Sequence, residues 1–131
     1  MEKRWSVSTS FCKIEEMRKA LDDFLKEIGN ATEISYDCSQ NLRLILTELS
    51  VNAILHGKGE VSVIAAECFD GLLHILVSHE ESDSFDPKQY YDAPPPLASQ
   101  NGRGIFLAKN LSENLVYNVR ANKVLACVKT R

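Results

Sequence analysis

The 131 residues, 44% hydrophobic and 25% charged with a formal net charge of −3, have the composition of one globular domain that buries a core without metals or disulfides. That balance excludes the broad basic footprint of a nucleic-acid or anionic-membrane binder. Four widely spaced cysteines, a start without a long apolar run and no stretch approaching a membrane span point to reduced thiols in a cytoplasmic protein.

The alternation of residues 4–8 predicts a short strand. Ser10 then reads as the cap of a helix whose apolar face is Ile14, Met17, Leu21, Phe24, Leu25 and Ile28, ended by Gly29-Asn30. Asp37, with Gln40 three residues on, reads as the cap of a second helix that runs to about Leu55. Two β-rich runs, 61–69 and 72–78, flank Asp70-Gly71, a strong hairpin signal. Residues 79–103 contain all four prolines and no periodicity, as a lid or binding loop would. Gly102-Arg103-Gly104 opens a short third helix, and strands at 115–119 and 124–130 close the chain as a second hairpin. This order predicts a single domain over residues 1–131. Its fold is α+β, a two-layer sandwich of a mainly antiparallel sheet with three helices on one face.

The second helix carries the chemistry. At about 100° per residue, Leu42, Ile45, Leu46, Leu49 and Ala53 form its main core face, with Leu44, Val51 and Leu55 as a second apolar group. Arg43, Thr47, Ser50 and Ile54 form the solvent side. Glu48 and Asn52 fall between the apolar groups, and His56 lies one turn further. A buried carboxylate needs a partner or a cavity. Three readings fit: a satisfied internal polar pair, side chains facing water on a rotated helix, or oxygen donors in a cleft for magnesium and substrate phosphates. His56 alone reads as a residue that ties down the helix end. The Gly102-Arg103-Gly104 turn ahead of a helix offers free N–H groups to a phosphate.

Three segments together carry a family resemblance. TELSVNAILHG (47–57), SDSFDP (82–87) and GRGIFLAKNLSENLVYN (102–118) resemble, in order and spacing, the three boxes of the histidine-kinase-like ATPase superfamily, and within it the anti-sigma-factor serine kinases. The resemblance implies ATP and magnesium as cofactors and phosphoryl transfer to a serine of an antagonist protein, with a sigma factor as the sequestered partner. It implies Glu48 as general base and Asn52 as magnesium ligand. Gly102, Arg103, Gly104 and Ile105 would close over the phosphates, His56 would border the nucleotide, and Phe85, Asp86 and Pro87 would shape the wall beyond the adenine. A homodimer through the sheet or first helix also follows from the resemblance, with no direct contact to nucleic acid or membrane.

The second box departs from the family. Counting back from Phe85, the adenine-reading aspartate becomes Glu80, and two glycines become Ser82 and Ser84. The longer Glu80 must retract or the ring must shift, and serine has less backbone freedom than glycine. These departures define the alternative: a partner-binding module of the same fold with a degenerate nucleotide site. The catalytic half of a two-component histidine kinase fits less well, since 131 residues would leave no room for a dimerisation helix pair with a phospho-accepting histidine.

Overall fold

The computed structural model describes residues 5–69, 71–82, 103–118 and 122–130. In chain order they form β1 (Ser6–Phe11), α1 (Ile14–Ala31), α2 (Tyr36–His56), β2 (Gly57–Lys58), β3 (Val61–Phe69), β4 (Leu72–Ser78), β5 (Glu81–Ser82), α3 (Arg103–Leu111), β6 (Asn114–Asn118) and β7 (Lys123–Lys129).

Five strands pair in the order β1-β3-β4-β7-β6, every neighbour antiparallel. Two turns set this arrangement. Gly71 takes φ 76° between β3 and β4, and Asn122 takes φ 55° between β6 and β7, a left-handed conformation that glycine and asparagine tolerate best. Alternate residues then face one side: Leu73, Ile75 and Val77 of β4, and Val124, Ala126 and Val128 of β7, are all buried.

The helices cover that side. α1 buries Met17, Leu21, Phe24 and Ile28, and α2 buries Leu42, Ile45, Leu46, Leu49 and Ala53. α3 is anchored by Ile105 and Ala108. The result is the two-layer α+β sandwich that the sequence predicts. On the opposite face the strand register lines up Ile64, Leu76, Leu125 and Val116 in one apolar row. Its ends, Ile64 and Val116, are 42% and 48% exposed. Among the described residues, no helix is long and apolar enough to cross a membrane.

Several local expectations change. Ser10 is not a helix cap but lies in β1, opposite Ser62; α1 starts after Lys13, without a side-chain cap. The helix also continues through Gly29-Asn30 to Ala31, because Gly29 sits in helical conformation with open space around it. Ser35, not Asp37, caps α2, its side-chain oxygen accepting from the Cys38 N–H at 3.1 Å. The Ser35 N–H in turn donates to Thr130 O at 2.8 Å, which fastens the helix start to the end of β7.

The wheel of α2 also turns relative to the sequence reading. Ser50 is fully buried, and its hydroxyl has no hydrogen-bond partner among the described residues. Leu44 and Leu55, by contrast, are 38% and 60% exposed. The cause is α1, which lies against the flank that carries Arg43. The Arg43 guanidinium pairs with Asp22 of α1 at 2.7 Å, and Ser50, on the same side, is covered. The loop expected to begin at residue 79 starts with order, since β5 pairs with β2 through Gly57↔Ser82 and Lys58↔Glu81.

Candidate functional site

The flank of α2 opposite Arg43 carries Glu48 and Asn52, one turn apart, and α3 packs beside it. Glu48 is half-buried, and this desolvation pushes its carboxyl above the usual glutamate range. Gly104, in the first turn of α3, lies directly against it. A Cβ at position 104 would overlap the Glu48 carboxylate and sit 3.0 Å from Glu48 Cβ. Only a bare backbone therefore permits α3 to approach α2 here.

Asn52 is held from the sheet. Its Nδ2 donates to the Tyr117 hydroxyl of β6 at 3.5 Å, which leaves its carbonyl oxygen available as a hard ligand. Arg103 and Gly104 open α3, so the first-turn N–H groups lack intrahelical acceptors and favour an anion. The Ile105 side chain is 2% exposed and anchors α3 in the interior. Glu48 thus meets the start of α3, and Asn52 lies one turn along the same helix.

A second group of expected residues gathers at the end of α2. His56 closes that helix, half-buried. A Cβ on Gly57 would sit 2.5 Å from Ala53 O and 2.6 Å from His79 Nδ1, so the His79 ring rests on a bare backbone. Gly59 takes φ 82°, and the Glu80 carboxylate occupies the space that a Cβ there would need. The Glu80 N–H donates to Lys58 O at 3.2 Å, while Glu80 O accepts from Asn122 Nδ2 at 2.9 Å. Ser82 pairs with Gly57 in the small sheet. Ser84, Phe85, Asp86, Pro87 and Gly102 lie outside the described residues.

Sequence reasoning did not single out Tyr117 or Asn122. The available signals were an aromatic on the inward side of a strand and an asparagine in a hairpin turn, both common in structural roles. Among the described residues no three His, Cys, Asp or Glu side chains cluster to hold a metal. Asn52 could lend its oxygen to a magnesium ion otherwise held by phosphate oxygens, a pattern normal for this reluctantly dehydrated cation.

The described elements form an α+β sandwich in which a carboxylate and an amide of one helix lie beside the start of another, over an antiparallel sheet. The model of the histidine kinase-like ATPase domain matches residues 13–128, and the chain belongs to this family. Membership implies ATP binding, usually with magnesium, and ATP-dependent activity in general. A comparison with curated proteins gave no match.

Proposed function

We propose that this protein is a regulatory protein serine kinase of the anti-sigma-factor kind. In this reading it acts in the cytoplasm, binds ATP with magnesium, phosphorylates a serine of an antagonist protein and sequesters a sigma factor. One observation carries the reading: a carboxyl whose proton affinity is raised by burial sits against the glycine that opens α3, one turn from an amide oxygen. A general base works best when its proton affinity approaches the working pH, and Glu48 is shifted in that direction.

Glu48 accepts the proton of the antagonist's serine hydroxyl as that oxygen attacks the γ-phosphorus of ATP. The bond from the γ-phosphorus to the β–γ bridging oxygen breaks, and ADP leaves. Magnesium, when bound, neutralises the phosphate charge. Asn52 supplies a ligand oxygen, and the first turn of α3 cradles phosphate oxygens through its N–H groups. The apolar row across the open sheet face supports a homodimer through the sheet. Incubation of the protein with labelled ATP and the cognate antagonist tests the proposal: transfer to serine is expected, and its absence with a folded, nucleotide-binding protein overturns it.

The altered second box favours a second reading, a partner-binding module with a degenerate nucleotide site. Calorimetry with ATP and magnesium separates the two, since tight partner binding without nucleotide binding belongs to the module alone.

A further inference from the structure

A cleft of about 740 Å³ opens at the end of the sheet where α1 stops and α2 starts. This is the end where Leu72 pairs with Lys129, opposite to the end that carries Glu80. Glu67 belongs to its wall. On β3 it follows Val61, Val63 and Ala65, all buried, so strand alternation turns its side chain toward the helices. Trp5 Nε1 and Thr32 Oγ1 both donate to Glu67 Oε2, each at 3.1 Å, which engages both lone pairs of that oxygen. Among the described residues, Oε1 receives no donor and no basic side chain pairs with this carboxylate. Lys129 borders the cleft, but alternation places its side chain on the face opposite Val128, where its ammonium lies 3.6 Å from Glu113. Thr130, 2% exposed, also lines the cleft. Its N–H and carbonyl are bonded to Gly71 and Ser35, while its hydroxyl has no partner among the described residues. That hydroxyl lies 3.8 Å from where a Cβ on Gly71, another residue of the wall, would sit.

The charge of this cleft is one-sided. α1 ends at it through Thr32, with no basic residue in its last turn, so the helix presents its negative pole there. Glu33 stands exposed at the rim. We propose that the cleft is a binding site for a primary ammonium group on a short alkyl chain. A part-buried carboxylate is stabilised by an opposite charge. Ammonium fits better than guanidinium, because a bidentate fork needs an open lone pair on each carboxylate oxygen and Oε2 has none left. A point cation with three donors is offered Glu67 Oε1, the Thr130 hydroxyl and Glu33. Leu72 adds apolar surface for the alkyl stem. The site shares no residue with the nucleotide reading and does not depend on it.

The test uses the full chain and its single tryptophan, which touches Glu67 and so reports on the cleft. Cadaverine, an alkyl diamine, and lysine capped at both backbone ends are titrated at constant ionic strength. Trp5 emission is followed, with calorimetry as a second readout. Saturable binding of at least one amine is expected, and none of pentanol. Binding of cadaverine alone marks a free amine as the source, whereas binding of capped lysine marks a lysine side chain of a partner protein. Glu67→Gln should weaken binding by about tenfold or more, the worth of a hydrogen bond to a charged group, and Thr130→Val by about threefold. Glu33→Gln, at the exposed rim, should lose about twofold. If Glu67→Gln does not fold, Thr130→Val decides. The proposal is overturned if the folded wild-type protein binds neither amine, or if the folded Glu67 and Thr130 variants bind as tightly as wild type. Either result leaves the kinase reading untouched.

Discussion

The two walls of the site are built differently. On the phosphate side, Glu48 and Asn52 project from one rigid helix and meet a glycine and a tyrosine that pack on them. On the side where the proposed reading places the base, Glu80 projects from a short strand connection, and its backbone is held by hydrogen bonds to Lys58 and to the Asn122 side chain. In the proposed reading, the first wall keeps the residues that phosphoryl chemistry requires. The second keeps a carboxylate but replaces loop glycines by serines. Chemistry that needs a particular atom leaves little choice of side chain, whereas a wall that needs only a held backbone can be supported by any neighbour with a donor.

Substitutions can sharpen or erase this contrast. The largest effect is expected from Glu48→Gln: transfer to the antagonist's serine should fall about 10²- to 10⁴-fold in a phosphorylation assay, with ATP affinity nearly unchanged. Asn52→Ala should weaken magnesium-dependent nucleotide binding by about 10- to 100-fold, while binding in chelator changes little. Glu80→Ala should cost about tenfold in ATP affinity and leave the magnesium dependence intact. If Glu80→Ala altered the magnesium dependence as strongly as Asn52→Ala, the two walls would not be separable.

The smallest effect concerns stability. The Glu48 carboxyl is raised by desolvation, so its folded form holds a proton more readily than its unfolded form. Its favourable contribution is present below the unfolded value and is lost as pH rises through the raised one. At neutral pH an ionised Glu48 therefore disfavours the fold, and Glu48→Gln should melt slightly higher than wild type. That gap should close as pH falls into the glutamate range, as a melting series across pH would show.

Much of this was legible in the sequence. The runs 61–69 and 72–78 coincide with β3 and β4, because an Asp-Gly turn between β-rich segments leaves few alternatives. Glu48 and Asn52 were legible as polar residues set between the two apolar groups of one helix. The orientation of α2 was not, since Ser50 looked solvent-facing until α1 was placed against it. Helical periodicity gives angles between residues, but the neighbours decide which flank is covered. The clamp on Glu80 was also hidden, because it joins residues separated by 42 positions through a turn whose sequence carries no signal of a partner.

The short α3 has a consequence for motion. It spans nine residues, and among its described side chains Ile105 and Ala108 are the fully inward ones, whereas α2 lies along the whole core. Detaching so small a segment requires far less than global unfolding. Amide hydrogen exchange should therefore show two classes. Protons of 105–111 exchange through brief local opening, and those in the middle of α2 exchange only when the whole domain comes apart. Each such opening would lift Gly104 off Glu48 and admit more solvent to the carboxylate.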